Sequence, residues 1–78
     1  MGAMTTMETQ MMQGIQAEDP DVAFVLGMIA HHQAAIAMSR IVLEFGQDER
    51  ARQWAEQIIA AQQREIDEMR AWLAARGM

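Results

Sequence analysis

The sequence predicts an all-α protein, and three observations support this fold class. Apolar residues make up 51% of the 78-residue chain, whereas aromatic residues make up only 5% and a single proline is present. The abundant residue types Ala, Met, Gln, Glu and Arg are those that favour helices. Helix start signals also precede three segments in which apolar residues recur at helical spacing. We therefore predict one small domain of three helices, over about residues 5–17, 20–45 and 48–76.

The first predicted helix, about 5–17, begins at a capping box. Thr5 is placed as its N-cap and Glu8 stands at the third helical position. Its apolar stripe consists almost wholly of methionine: Met4, Met7, Met11 and Met12, with Ile15 beside them. These methionines have two interpretations, because methionine at helical spacing can fill a core or supply weak metal ligands.

The second predicted helix, 20–45, begins with Asp19 as N-cap and Pro20 at the first helical position. Gly46 is predicted to end it with a left-handed C-terminal cap. Two apolar stripes together cover more than half of its circumference: Val22, Val25, Ile29, Ile36 and Leu43, and then Phe24, Met28, His31, Ala35, Met38 and Val42. We expect so wide an apolar surface to pack against two partners.

The third predicted helix, 48–76, begins with Asp48 as N-cap. The linker Gly46-Gln47 is short, so this helix should fold back on the second one as an antiparallel hairpin. Its apolar face contains Trp54, Ile58, Ile59, Ile66, Met69, Trp72 and Leu73. The opposite face carries helix-spaced charge pairs: Arg52 with Glu56, and Arg64 with Glu68.

Two polar residues, Gln62 and Glu65, lie inside the apolar face of the third predicted helix. Polar groups on a buried face need hydrogen-bond partners. They could therefore bond across the bundle as structural groups, or orient a histidine that binds a metal.

A hairpin with this much apolar surface is not expected to be stable alone in water. Chains of this size bury only about 60% of their unfolded surface, and the absence of cysteine excludes disulfides. We expect the first helix to cover part of the apolar surface and a second copy of the chain to cover the rest. The predicted assembly is a homodimeric helical bundle.

The charge distribution argues against several classes of partner. The formal net charge is −5, every basic residue is arginine, and no basic cluster is present. This disfavours nucleic acid and anionic membrane surfaces. The longest apolar run, residues 22–30, is far shorter than the roughly 20 residues of a spanning helix, so no membrane span is expected. No signal peptide is recognisable, and the residues alone leave the compartment open.

The strongest functional signal is the run Met28-Ile29-Ala30-His31-His32, followed by Met38. Imidazole and thioether together are ligands for soft monovalent metals, above all Cu(I) and Ag(I). Thioethers bind Zn(II), Mg(II) and Ca(II) poorly, and they do not form disulfides under oxidising conditions. Met28 is three residues from His31 and four from His32, so either pair can face one ion.

The remaining candidate ligands are less tightly fixed by spacing. His31 and His32 diverge by about 100° on the helix, so both reach one metal only if it lies between them. Met38 lies roughly 10 Å further along the axis than His31 and therefore belongs to a second site or packs. Met69, on the antiparallel partner helix, could complete a site. In the alternative interpretation all of these residues are core, and the protein is a structural oligomerisation module without a metal.

An enzymatic function is not predicted. The Glu-x-x-His motif of di-iron bundles is missing, and so are the His-Glu-x-x-His zinc motif, a nucleophile elbow and a phosphate-binding loop. With no cysteine or tyrosine and one inward carboxylate, the residues do not assemble a catalytic site.

Two runs of residues resemble the signature of domain of unknown function family 305. They are Asp21-x-x-Phe24-x-x-x-Met28-Ile29-x-His31-His32-x-x-Ala35-Ile36-x-Met38 and Ala55-x-x-Ile58-Ile59-x-x-Gln62-x-x-Glu65-Ile66-x-x-Met69-x-x-Trp72-Leu73. The resemblance covers about residues 19–73. It implies a ferritin-like helical bundle and a secreted or periplasmic copper-binding protein tied to copper and silver tolerance.

The same resemblance implies metal roles for five residues: Met28, His31, His32, Met38 and Met69. Many relatives carry two such hairpins in one chain, whereas this chain carries one. The resemblance therefore also favours homodimerisation, because a second copy would rebuild the full bundle.

Overall fold

The computed structural model describes residues 19–78. In this part of the chain two helices follow each other, α1 (Pro20–Phe45) and α2 (Glu49–Ala75), and there is no strand. The all-α prediction is confirmed for these residues, and both helices match their predicted bounds to within one residue. The first predicted helix, about 5–17, lies outside the described residues together with its methionines.

Both helices begin at the predicted aspartate caps. The carboxylate of Asp19 accepts hydrogen bonds from the backbone N–H groups of Asp21 at 2.8 Å and Val22 at 3.4 Å. The carboxylate of Asp48 accepts one from the N–H of Ala51 at 2.8 Å. These bonds satisfy N–H groups that have no partner within their own helix, which explains why the helices begin where they do.

The cap at Asp19 should make folding stability depend on acid pH. Its pKa lies below the ordinary value of 3.8, chiefly because the N–H of Asp21 bonds to the charged form. The N–H of Val22 and the guanidinium of Arg76, 3.0 Å away, add to the effect, and partial desolvation opposes it. The folded carboxyl thus binds its proton less tightly than the unfolded one. Its stabilising effect is complete well above pH 3.8 and is lost as the pH falls through the lowered pKa.

We expect the melting temperature to fall as a sample is acidified from about pH 5 towards pH 2. In Asp19→Asn the side chain still caps but carries no charge, so this fall should be shallower. Thermal melts followed by circular dichroism at several pH values check the prediction. Parallel curves for the two proteins would contradict it.

The predicted left-handed cap at Gly46 is wrong. Gly46 is extended, with φ −74° and ψ 150°, and its N–H donates to the carbonyl of Val42 at 2.7 Å. In the described residues the glycine with positive φ is Gly77, at 81°, after the end of α2. Gly46 is required for space instead, because a Cβ atom built there would lie 2.6 Å from the Val42 carbonyl oxygen.

Gly46→Ala should therefore destabilise the turn between the helices. The obstructing atom belongs to the backbone of α1, so the helix end must move, and we expect a loss of about 1–3 kcal/mol. The neighbouring exposed position provides a matched control, since Gln47→Ala should change stability little. Urea denaturation of both variants measures the difference. Equal midpoints would show that the turn relaxes without cost.

Arg52 closes the same turn. Its guanidinium donates to the carbonyl of Leu43 at 2.7 Å and to that of Gly46 at 3.1 Å. The carbonyls at the end of α1 have no N–H partner within the helix, so this side chain supplies one. The predicted pairing of Arg52 with Glu56 is therefore wrong. The exposed pair Arg64 and Glu68 also forms no salt bridge among the residues described, as expected where hydration competes with a weak attraction.

The two helices form the predicted antiparallel hairpin. Contacts join the start of α1 to the end of α2 through Asp19 and Arg76, and the end of α1 to the start of α2 through Leu43 and Arg52. The contact between the helices is apolar over most of its length. The buried apolar residues of the hairpin are Val22, Val25, Ala30, Ile36, Ala55, Ile66 and Leu73.

In the described part of the chain, α1 packs against one helix rather than the two that were expected. Two members of its second apolar stripe, Phe24 and Met38, are exposed, and so are Ile41 and Phe45 outside that stripe. By length and composition α1 could also cross a membrane, since an 18-residue window has a mean hydropathy of 1.4. That observation is weak evidence for a span, because 44% of the window is buried, as in the core helix of a hairpin.

Candidate metal centre

A histidine and a carboxylate meet at the middle of the hairpin. His32 on α1 is 6% exposed, and its Nε2 atom lies 2.6 Å from Oε1 of Glu65 on α2. An ionised carboxylate can only accept a hydrogen bond, so Nε2 carries the proton and donates it. The bond across the hairpin that was predicted for Glu65 is therefore present, and its partner is a histidine.

The other ring nitrogen of His32 has no hydrogen-bond partner in the described part of the chain. Nδ1 is buried, and no hydrogen bond reaches it from the described residues; the same is true of Oε1 of Gln62, one turn before Glu65. In a neutral imidazole that carries its proton on Nε2, Nδ1 has a free lone pair. Buried polar atoms are nearly always paired, so this atom is an exception that needs an explanation.

Two methionines lie one helical turn away from this pair, toward the same end of the hairpin. Met28 is one turn before His32 on α1, and Met69 is one turn after Glu65 on α2. Because the helices are antiparallel, both steps of about 6 Å lead in the same direction. Both methionines are half-buried, and Met69 also packs against the cluster of Val22, Val25 and Leu73. We call Met28, His32 and Met69 the inner set.

The other two predicted ligands face a different environment. His31 is exposed, and its ring centroid lies 6.1 Å from that of His32 with an interplanar angle of 64°. His31 and Met38 line an open groove of about 500 Å³ between the helices. We call them the outer set. The structure therefore divides the five predicted ligands into two groups on one hairpin.

Comparison with known proteins places the chain in a family. The family described as Domain of unknown function (DUF305) matches residues 1–73. The chain belongs to the DUF305 family. It is also similar to the uncharacterized protein L153 of Acanthamoeba polyphaga mimivirus, with 43% identity over 58 residues. That match covers 74% of this chain but only 38% of the viral protein, so the chain spans well under half of its relative's length.

All five predicted ligands fall within the DUF305 match. In the described residues there is no group of three or more His, Asp or Glu side chains that could hold a metal. The hairpin places an imidazole with a carboxylate behind it at its middle, and one methionine lies a helical turn away on each helix. Imidazole and thioether are donors that suit a soft ion.

Sequence reasoning missed several residues of this DUF305 hairpin that shape the outer set. Ser39 is buried on α1, where its hydroxyl donates to the carbonyl of Ala35 at 2.8 Å, so its hydrogen bond is satisfied within its own helix. Trp54 and Ile58 form the opposite wall from α2. Both were assigned to the apolar face, and only their exposure reveals that this part of the face lacks a partner within the hairpin.

Proposed function

We propose that the protein binds a soft metal ion, Cu(I) or Ag(I), through the inner set Met28, His32 and Met69. Its task is copper storage, buffering or tolerance, and it is not an enzyme. The observation that carries the proposal is the buried Nδ1 atom of His32, which receives no hydrogen bond from the described residues. Packing of an apolar hairpin does not require a buried nitrogen with a free lone pair, whereas binding of a soft metal ion does.

The donor chemistry supports a monovalent ion. Two thioethers and one neutral imidazole bring no charge, so the bound ion keeps only a single positive charge in a half-buried place. Glu65 acts behind the ring: its carboxylate holds the proton on Nε2 and so keeps the lone pair on Nδ1. The inner set needs no deprotonated thiol, which suits acidic or oxidising surroundings.

The wider assignment follows the resemblance to copper-binding relatives. In this proposal the hairpin forms a ferritin-like bundle with a second copy of the chain and works in the periplasm or outside the cell. Its partners are the metal ion and its own copy, without nucleic acid and without a membrane span. The negative net charge of −5 supports the exclusion of nucleic acid.

A second function has its own supporting observation. Met69 packs in the apolar cluster at the open end of the hairpin, as a core methionine does. If Met28 has the same role, the protein is a structural oligomerisation module. Thermal melts separate the two functions, because a ligand that binds the native state raises stability by about 2.7 kcal/mol at 100 times its dissociation constant. We expect Ag(I) to raise the melting temperature and Zn(II) not to; no rise with Ag(I) would favour the structural module.

Glu65 provides a second test of the inner set. Loss of a carboxylate that orients a metal-binding histidine weakens metal affinity by about 10–100-fold. We expect a loss of this size for Glu65→Ala and a smaller one for Glu65→Gln, whose amide oxygen can still accept from Nε2. Glu68→Gln is the matched control, since this exposed side chain makes no hydrogen bond to His32. Chelator competition measures the affinities, and equal values for Glu65→Ala and Glu68→Gln would remove Glu65 from the site.

A further inference from the structure

Six large apolar side chains of the two helices are exposed. Four of them lie on α1 and two on α2, each with 39–73% of its surface exposed: Phe24, Met38, Ile41, Phe45, Trp54 and Ile58. Three of the six, Met38, Trp54 and Ile58, line the outer-set groove, whose lining contains no Asp, Glu or Arg. On another side of the hairpin a smaller cleft is lined by Gln33, Arg40, Gln63 and Arg70, with two isoleucines at its floor. The side of the hairpin that carries the outer-set groove is therefore suited to contact with another apolar surface.

The order of residues along this side of α1 is symmetric about its centre. Two pairs of positions lie at equal distances before and after the midpoint between Ala34 and Ala35. These pairs are Phe24 with Phe45, and His31 with Met38. A two-fold axis through that midpoint would place each member opposite its counterpart in an antiparallel copy of α1, as an isologous contact requires. Alanine at the centre lets two helices approach closely.

The amount of apolar surface also fits a second copy. If each of the six exposed side chains presents about 200 Å², as large side chains do, their exposed fractions amount to roughly 700 Å² per chain. A stable interface needs about 800 Å² from each partner. A charged partner finds no opposite charge in the groove lining, whereas a second copy offers the same apolar groove.

We propose that two copies of this chain dock through this side, with α1 antiparallel to the partner's α1 about an axis at Ala34 and Ala35. His31 of each copy then faces the partner's Met38, and the partner's His31 faces Met38. Each such pair joins an imidazole to a thioether across the interface. Two-coordinate binding suits Cu(I) and Ag(I), so the outer set becomes two additional soft-metal sites that exist only in the dimer. This last step rests on the proposed soft-metal function; the docking geometry does not.

Disulfide cross-linking of metal-free protein tests the geometry, because the chain contains no cysteine. In the double variant His31→Cys with Met38→Cys, each new thiol faces its counterpart in the other copy. We expect covalent dimers in which peptide mapping joins position 31 to position 38. Within one chain these positions are roughly 10 Å apart along the helix, too far for a disulfide. Met38→Cys alone is the control and should cross-link poorly, since the two copies of position 38 lie on opposite sides of the axis.

Sedimentation of the unaltered full chain, without metal, provides a measurement that does not depend on any variant. A dimer at micromolar concentration supports the proposal, and a monomer overturns it, including the case in which residues 1–18 cover this side of the hairpin. Cross-links that join position 38 to position 38 would overturn the antiparallel arrangement.

The metal step is read separately by Ag(I) titration. We expect His31→Ala with Met38→Leu to lose Ag(I) equivalents while those of the inner set remain. Unchanged stoichiometry in a protein that is still dimeric would overturn the shared sites alone. If neither the inner-set nor the outer-set variant loses Ag(I) equivalents, the proposed function is overturned, while the docking geometry is unaffected.

Discussion

Removing the inner set should abolish tight Cu(I) binding at the inner site. In the triple variant Met28→Leu, His32→Ala and Met69→Leu, all three donors are lost, and we expect the affinity of this site for Cu(I) to fall by at least about 1,000-fold, or 4 kcal/mol. Leucine replaces methionine with little change in volume, so packing around Met69 should survive. Competition with a chromophoric Cu(I) chelator under anaerobic conditions measures the loss.

The control for this experiment is the outer-set variant His31→Ala with Met38→Leu. It removes the same donor types from the groove and leaves His32 and Glu65 in contact. We expect its inner site to keep its affinity for Cu(I). Circular dichroism must show that both variants retain their helices. A triple variant that binds as many tightly held Cu(I) equivalents as the unaltered protein would mean that the inner set does not hold the metal.

Truncation of Ile66 should unfold much of the protein. Ile66 is the most deeply buried large side chain of the hairpin, with 2% exposure, and it lies between the helices near their middle. Ile66→Ala removes its contacts and leaves a cavity, which costs about 2–5 kcal/mol. A core this small has little stability to spare, so we expect the melting temperature to fall by 10 °C or more, at roughly 4–8 °C per kcal/mol.

Ile66→Val should cause a smaller loss of stability by the same mechanism. It removes one methyl-sized group and should cost only about 0.5–1.5 kcal/mol, so its melting temperature should lie between those of the unaltered protein and Ile66→Ala. Urea denaturation of the three proteins gives the order. If Ile66→Ala were as stable as Ile66→Val, the contact between α1 and α2 would not be the main source of stability.

The sequence was sufficient to predict the parts of the fold that depend on local chemistry. Asp19 and Asp48 cap their helices because each carboxylate accepts hydrogen bonds from the free N–H groups of the first turn. An aspartate just before a segment with helical apolar spacing can be recognised from a few consecutive residues. The antiparallel arrangement followed from the short linker. Glu65 was also recognisable, since a carboxylate within an apolar face requires a partner.

Other features depended on distances that a sequence does not contain. Gly46 was predicted to form the common left-handed cap. Glycine is required there because the Val42 carbonyl oxygen leaves no room for a Cβ atom, and that distance cannot be read from the sequence. Arg52 had an apparent partner in Glu56, whereas its reach places it on the free carbonyls of α1. Helical spacing likewise showed that His31 and His32 diverge, yet it could not tell which of them meets Glu65.

The central claim is that the hairpin holds a soft metal through Met28, His32 and Met69. An anaerobic titration of the unaltered chain with Cu(I) against a competing chromophoric chelator, with Zn(II) in parallel, tests it most directly. The claim predicts tight, stoichiometric uptake of Cu(I) without matching uptake of Zn(II). Failure to compete for Cu(I) would contradict it, and the methionines and histidines would then be packing residues of a helical assembly domain.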